Sequence, residues 1–206
     1  MEGRKAEKTC KGCNMNTLKK QAGVTLSELM TALSIIAILL TLSAPSYSEF
    51  INKRTLAGAT DLIGSYFENV KMESVKRNSW VTITYKEANG GADWCFGATM
   101  DQHVKCDCMA SAETTDCRLD ANEEPMVLTS TSYKGFDDLQ ITGDLSNNDH
   151  FDINPIRGTI SHSEKVNIQL KHSREDYLVN VSLTPTGRVT KCSPSDSKLV
   201  GFPTCI

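Results

Sequence analysis

The sequence predicts an α+β protein in which one long N-terminal helix precedes a β-rich, sandwich-like body. The first observation is an apolar run without any charged residue, from Leu29 to Ser48. The second is a stripe of apolar and small residues at helical spacing, which continues this run towards Asn78. The third is a change to alternating apolar and polar residues after Trp80, which is typical of strands.

Charge is unevenly distributed along the 206 residues, whose formal net charge is −3. Residues 1–23 hold six basic and two acidic side chains, so this segment carries +4 and the remainder carries −7. A basic head, an apolar run and an acidic remainder fit the positive-inside rule, with the head in the cytoplasm and the body exported. The acidic balance disfavours binding of nucleic acid by the surface as a whole.

The apolar run permits several interpretations, because twenty helical residues span about 30 Å, the thickness of a bilayer core. A secretory signal peptide would be cut behind Ser43 and Ala44, but Pro45 follows directly and is unfavourable just past such a cut. A single-span anchor explains the run but not Glu28, a carboxylate that is costly to bury in lipid. A buried helix of a soluble domain is disfavoured by the length of the run and by its basic flank.

A fourth interpretation places a processing site before the run, where Gly23 ends the basic leader. The stretch from Gly23 to Met30 reads GVTLSELM, and it resembles the class III signal of type IV pilins and type II secretion pseudopilins. That signal has a leader ending in glycine, then an apolar residue, T-L-x-E-L-M and a long apolar helix with a proline near its far end. Val24 and Ser27 depart mildly from it, since phenylalanine and a β-branched apolar residue are usual there.

The resemblance implies that a prepilin peptidase cuts between Gly23 and Val24 and N-methylates Val24. Cleavage would create an amino terminus, which is a cation, one helical turn before Glu28. In the family, this glutamate is thought to pair with the amino terminus of an adjacent subunit during filament assembly. Such pairing would offset the desolvation of both charges, so it would favour packed helices over dispersed ones.

Four segments follow from this interpretation. Residues 1–23 are the leader, 24–48 the transmembrane and assembly half of the helix, 49–78 its amphipathic half, and 79–206 a periplasmic β-rich domain, together giving the type IV pilin fold. The amphipathic half is expected to pack on the body through a stripe at three- and four-residue steps. This stripe consists of Leu56, Ala59, Ile63, Phe67, Val70 and Ser74.

Six short segments of the body are predicted to be strands, at residues 80–85, 126–133, 138–142, 166–172, 176–184 and 187–192. Three stretches of the chain resemble the FimT, FimU and GspH group of minor pilins and pseudopilins. They are KMESVKRNSWVTI at 71–83, FDINPIRG at 151–158 and LTPTGRVTKC at 183–192. Residues 86–150 match that group least.

Two of the eight cysteines lie in the basic head, as the C-x-x-C pair Cys10 and Cys13. A second C-x-x-C pair on the same side of the membrane is missing, so zinc binding or redox chemistry is disfavoured. Met15 offers an alternative start, and from either start both cysteines would precede the mature chain.

The six cysteines beyond the apolar run allow fifteen pairings, and they are Cys95, Cys106, Cys108, Cys117, Cys192 and Cys205. An oxidising periplasm and the lack of a matched C-x-x-C pair favour disulfides over a metal site, even with His103 nearby. We expect Cys192 to bond Cys205 and to close a C-terminal loop. Among the other four, the first choice is Cys108 with Cys117.

The chain lacks the sequence patterns of common catalytic sites. Its four histidines, at 103, 150, 162 and 172, fall in no H-E-x-x-H or triad-like motif and are expected at the surface. A glycine-rich phosphate loop is also missing from the sequence. We therefore expect no enzyme activity, no cofactor and no metal.

One motif points to a nucleic-acid partner. Some FimT proteins bind DNA in natural transformation, and a G-R-x-R stretch is implicated, where this chain has Gly187-Arg188-Val189-Thr190. The second arginine is replaced, and Lys191 would point to the opposite face of a strand and lacks the bidentate fork of arginine. DNA is therefore a disfavoured partner, with a local patch as its candidate contacts: Arg157, Arg188, Lys191 and Lys198.

The resemblance implies a minor type IV pilin, a structural subunit that supports pilus assembly at or near the tip. Its expected partners are prepilin peptidase, other major and minor pilins, the assembly platform of the inner membrane, and the membrane itself. The chain would cross the bacterial inner membrane once, with a periplasmic body, and then enter the extracellular pilus. A DNA-binding minor pilin acting in DNA uptake and a minor pseudopilin of type II secretion are the alternatives.

Overall fold

The computed structural model describes residues 23–100, 102–111, 114–132, 136–144, 149–161 and 165–205. The chain divides into two compact units, Met1–Ala44 and Pro45–Ile206. Cys10, Cys13 and His162 lie outside the described residues. The observed class is α+β, as the sequence predicts.

One helix, α1 (Leu26–Arg77), has 52 residues and ends one residue before the predicted limit. It is followed by Asn78, which adopts a left-handed conformation with a φ of 49°. The amide of Asn78 donates to the carbonyl of Val75 at 3.2 Å, and the amide of Ser79 donates to the carbonyl of Ser74 at 3.2 Å. These two bonds form a Schellman motif, which satisfies carbonyls that a helix end leaves open.

The predicted stripe of α1 packs on the body. All six of its members, from Leu56 to Ser74, are at most 1% exposed. The ring of Phe67 lies edge-on to two others, with its centroid 5.4 Å from that of Phe96 and 6.0 Å from that of Phe151. Such edge-to-face contacts add stability beyond the burial of area. The prediction of the stripe is confirmed.

In the described residues, eight strands form two antiparallel sheets. The strands are β1 (Val81–Ala88), β2 (Asp93–Thr99), β3 (Val127–Thr129), β4 (Leu139–Asp144), β5 (His150–Ile153), β6 (Val166–His172), β7 (Leu178–Leu183) and β8 (Val189–Cys192). The first sheet has the strand order β3-β2-β1-β5, and the second has the order β4-β6-β7-β8.

Both sheets and the helix stripe contribute to one hydrophobic core. Alternate residues of the second sheet are buried in it, such as Ile168 in β6 and Val181 in β7. The hydroxyl of Tyr85 in β1 lies 3.0 Å from the carbonyl oxygen of Ile141 in β4, which links the two sheets. Burial raises the pKa of Tyr85 above its ordinary value, so this hydroxyl remains protonated.

Two strands, β2 and β5, lie outside the six segments that the sequence predicts as strands. Six of the seven residues of β2 are buried, so it shows none of the alternation that marks a half-buried strand. β5 follows a polar stretch that has the composition of a turn. The predicted strand at 126–133 is shorter than expected, since β3 covers Val127–Thr129.

Candidate functional site

The predicted processing site lies at the start of α1. Gly23, Val24 and Thr25 precede the helix, and Val24 is 69% exposed. The Oγ1 of Thr25 accepts a hydrogen bond from the amide of Glu28 at 3.3 Å. In return, the amide of Thr25 donates to Oε2 of Glu28 at 3.4 Å. This reciprocal pair is a capping box, formed by a T-x-x-E pattern.

The capping box directs the carboxylate of Glu28 back towards the residue that cleavage would make the first. The amide that this carboxylate accepts from belongs to the peptide bond between Val24 and Thr25. The carboxylate therefore lies one residue away from the amine of a processed Val24. Sequence reasoning singles out Glu28 but not its capping role, although T-x-x-E before an apolar run predicts it.

Exposed apolar side chains begin inside the capping box and continue along the helix beyond it. Within the unit Met1–Ala44, these side chains occupy every side of the helix, and each is more than half exposed: Leu26, Leu29, Met30, Leu33, Ile35, Ile36, Ile38, Leu39 and Leu40. A helix that is apolar all round is typical of one buried among other helices or in lipid. In the part of the chain that the structure describes, no helix is both long enough and apolar enough to cross a membrane.

Two disulfides close the loop between β2 and β3. The structure joins Cys95 to Cys108 and Cys106 to Cys117, and the four side chains form a buried cluster. The predicted pair of Cys108 with Cys117 is therefore wrong. The loop passes over Gly97 of β2, where a Cβ would lie 2.4 Å from the sulfur of Cys117 and 2.7 Å from that of Cys106. The bare backbone at Gly97 leaves room for the Cys106–Cys117 bond, and Cys108 then reaches Cys95.

The cysteine cluster does not offer thiolates to a metal. Cys106, Asp116 and Cys117 have ligand atoms within 4.8 Å of one another. The two sulfurs are bonded to each other, however, and metals bind thiolates rather than disulfides.

An ion pair links the loop between β2 and β3 to β1, since Nζ of Lys86 lies 2.8 Å from Oδ1 of Asp107. This contact holds the pKa of Asp107 below its ordinary value.

The histidines are not all surface residues, so that expectation is wrong for His172. Its side chain lies in β6 and is buried, and its Nδ1 accepts a hydrogen bond from the amide of Arg174 at 3.3 Å. His103 is exposed, but its Nδ1 lies 2.7 Å from Oδ2 of the buried Asp152. Oδ1 of Asp152 also accepts from the amide of His103 at 3.2 Å and from the hydroxyl of Thr82 at 2.7 Å. These contacts fix the loop after β2 to β1 and β5.

A third disulfide joins Cys192 to Cys205, the pair that the sequence favours. It closes the loop that follows β8. Inside this loop, the amide of Ser193 donates to the carbonyl of Pro203 at 2.9 Å. The hydroxyl oxygen of Ser193 accepts from the amide of Leu199 at 2.8 Å. The covalent bond and these hydrogen bonds together hold the loop in one conformation.

Two of the candidate DNA contacts, Arg157 and Arg188, lie exposed on neighbouring turns. Each is next to a glycine with positive φ, Gly158 at 61° and Gly187 at 73°. The turns touch, because a Cβ on Gly187 would lie 1.8 Å from the carbonyl oxygen of Gly158. Lys71 of α1 reaches both turns, and its Nζ donates to the carbonyl of Gly187 at 2.8 Å.

The other two candidates, Lys191 and Lys198, lie elsewhere. Nζ of Lys191 lies 2.8 Å from Oδ1 of Asp61 on α1, so its charge is already paired. Lys198 follows Ser197, whose carbonyl accepts from the amide of Leu178 at the start of β7. The turn that carries Arg188 follows the other end of β7. The two ends of this six-residue strand are about 17 Å apart. The structure thus brings together two of the four predicted residues.

The capping box and the exposed apolar side chains lie in a segment that a family description matches: the prokaryotic N-terminal methylation motif covers residues 18–44.

Two solved structures are similar to this chain, both of the type IV minor pilin FimU from Pseudomonas aeruginosa PAO1. One has a TM-score of 0.45 and 14% identity, covering 74% of this chain and 98% of that chain. The other has a TM-score of 0.42 and 13% identity, covering 71% of this chain and 98% of that chain. No curated protein matches the chain significantly.

Proposed function

We propose that the chain is a minor type IV pilin, a structural subunit cleaved between Gly23 and Val24, N-methylated at Val24, and incorporated at or near the pilus tip. The observation that carries this proposal is the match of residues 18–44 to the methylation motif. The direction of the Glu28 carboxylate, towards Val24, supports it. Prepilin peptidase, other major and minor pilins and the assembly platform of the inner membrane are the proposed partners.

The pairing of Glu28 with an amino terminus would strengthen as the helix leaves water. Two unit charges 4 Å apart attract by about 1 kcal/mol in water and by about 4 kcal/mol at an effective dielectric constant near 20. The amide of Thr25 holds the carboxylate at 3.4 Å, which is long for a hydrogen bond, so an amine could displace it. Neighbouring helices that cover the exposed apolar side chains would exclude water from this pair.

The proposed location is the bacterial inner membrane, with one N-terminal span and a periplasmic body, followed by the extracellular pilus. Three disulfides support export, because such bonds persist in oxidising compartments. Two disulfide-closed loops, after β2 and after β8, support a position at an exposed end of the filament. Incorporation there is the step by which the subunit would support pilus assembly.

The direct test is Glu28→Gln, because glutamine at this position preserves the capping box and removes the charge. In a pilus-forming host we expect leader cleavage to persist, while the amount of the chain in sheared pili falls by at least about tenfold, the effect of 1.4 kcal/mol. The mass of the chain reports cleavage, and immunoblotting of purified pili reports incorporation. Glu124→Gln, which removes an exposed carboxylate from the body, is the matched control.

Normal incorporation of the Glu28→Gln chain would contradict the pairing. An equal loss with Glu124→Gln would also contradict it, since the effect would then follow net charge rather than position. Failure of cleavage in the Glu28→Gln chain would place the role of Glu28 in recognition by the peptidase instead.

A second candidate function, binding of DNA during uptake, is favoured by one observation. Arg157 and Arg188 lie exposed on touching turns, so two guanidinium groups could contact one phosphate backbone. The acidic body opposes this function, since it repels DNA elsewhere. Any binding would therefore be local and weak.

Gel-shift titration of the full chain in a neutral detergent, at several salt concentrations, tests this second function. If the arginine pair binds phosphates, we expect Arg157→Ala with Arg188→Ala to weaken binding and to lower the salt slope by about two. Lys198→Ala, which removes a distant cation, should change neither quantity. Absence of binding at low salt would exclude the function.

A further inference from the structure

The second sheet has a polar outer face. Side chains that alternate with the core positions of β4, β6, β7 and β8 point away from the core. Seven of them are uncharged and polar. Six of the seven line one cavity, and we call this set the polar face: Thr142, Asn167, Gln169, Asn180, Ser182 and Thr190. Cross-strand pairing places Gln169 between Thr142 and Asn180 in one row, and Ser182 between Asn167 and Thr190 in the next.

The polar face is the floor of an open cavity of about 860 Å³. The disulfide of Cys192 with Cys205, together with Pro203 and Thr204, lines it as well. Pockets that bind small ligands have volumes of about 300–1,000 Å³. The disulfide fixes the loop after β8, so the side of the cavity that this loop forms is already ordered before a ligand arrives. This order lowers the entropic cost of binding.

Asn180, which lines the cavity, has a buried side-chain acceptor without a hydrogen bond. Oδ1 of Asn180 finds no hydrogen-bond partner among the described residues, whereas its Nδ2 donates to the sulfur of Cys205 at 3.7 Å. A buried acceptor without a partner is unfavourable, and a ligand donor towards which the amide turns would remove that cost. Beside it, the hydroxyl of Ser182 donates to Oδ1 of Asn167 at 2.7 Å. The amide nitrogen of Asn167 is then the end of that side chain that can donate to a ligand.

The chemistry of the cavity selects among ligands. Its described lining residues include no carboxylate, and one of its two lysines, Lys191, is paired with Asp61. Nucleic acids require several cations, and the core of a protein interface is enriched in aromatic residues. Neither feature is present among the described lining residues. Amides and hydroxyls that both donate and accept instead match the hydroxyl groups of a sugar.

We propose that the polar face binds an uncharged saccharide through hydrogen bonds to its hydroxyl groups. Gln169 and Asn180, adjacent in one row, hold neighbouring hydroxyls, and Asn167 with Thr190 of the second row contacts the next part of the ligand. Pro203 and the disulfide provide the apolar wall against which the sugar ring lies. The site belongs wholly to the unit Pro45–Ile206, so it does not depend on the function proposed above.

The test uses the full chain in a detergent without a sugar headgroup, because a glycoside detergent would compete. Uncharged oligosaccharides of glucose, galactose and N-acetylglucosamine are titrated and followed by calorimetry. We expect at least one of them to bind with an affinity that is insensitive to ionic strength. Gln169→Ala should weaken that affinity by about five- to tenfold, the effect of one lost hydrogen bond.

Gln140→Ala is the matched control, because Gln140 is exposed on the same face of β4 but does not line the cavity. It should leave the affinity unchanged, and both variants should unfold at the temperature of the parent chain. No binding of any of the three sugars at roughly millimolar concentrations would overturn the proposal. Equal weakening by both variants, or a salt-dependent affinity, would overturn it as well, the latter by indicating a charged ligand.

Discussion

Gly187 shows how a single residue determines the shape of the two turns that carry Arg157 and Arg188. Its φ of 73° favours glycine, and its α-carbon lies against the carbonyl of Gly158, itself at a positive φ of 61°. The two stretches that resemble late segments of minor pilins, 151–158 and 183–192, therefore meet in space through their glycines. The amide of Ile160 also donates to the carbonyl of Pro185 at 3.1 Å, which holds the two stretches together.

Gly187→Ala should destabilise the body because it adds a clash to a strained φ. We expect a loss in the free energy of unfolding of roughly 3 kcal/mol, combining about 1 kcal/mol for the backbone with overpacking of about 2 kcal/mol. Gly90→Ala is the matched control, since Gly90 has a φ of 67° but nothing within 4 Å of the added Cβ. Urea denaturation of both variants measures the difference. Equal losses would show that the contact with Gly158 contributes nothing.

The roles of some residues can be predicted from the sequence, and those of others cannot. Glu28 stands out because a carboxylate in an apolar run requires a reason, and the T-x-x-E pattern is visible in the sequence. The pairing of Cys95 with Cys108 is not visible, because it depends on the path of a loop over Gly97. The unsatisfied oxygen of Asn180 also appears only once β7 and the C-terminal loop are placed together.

At the scale of elements, α1 is predicted almost completely from the sequence. A stripe at three- and four-residue steps over five turns leaves no other structure for 56–74, and Asn78 is a residue that favours the left-handed end of a helix. β2 is harder to predict because both of its faces are covered, one by the core and the other by the disulfide cluster. Its sequence therefore lacks the alternation from which a strand is inferred.

Phe67→Ala should test the packing of α1 on the sheets. The ring is 1% exposed and contacts Phe96 and Phe151, so its removal should lower the free energy of unfolding by about 3–5 kcal/mol. Met72→Ala, on the exposed side of the same helix, should change it by less than about 0.5 kcal/mol. Denaturation followed by tryptophan fluorescence measures both. A loss below 1 kcal/mol for Phe67→Ala would contradict the buried position of this ring.

At the scale of the whole molecule, the two units differ in how far their apolar side chains are buried. The unit Pro45–Ile206 has its own core and three disulfides, so its apolar stripe is already covered. The residues from Leu26 to Leu40 instead expose large apolar side chains, whose burial requires other helices or lipid. The sequence predicts this division, because the charge-free run and the amphipathic stripe have different patterns.

We propose that processing at Gly23 creates the amino terminus towards which Glu28 is directed. Mass spectrometry of the N-terminal peptide, from chain purified out of a host with prepilin peptidase, tests it most directly. We expect the peptide to begin at Val24 and to carry one methyl group on its amine. A peptide with the leader still attached, or a terminus near Ala44, would contradict it.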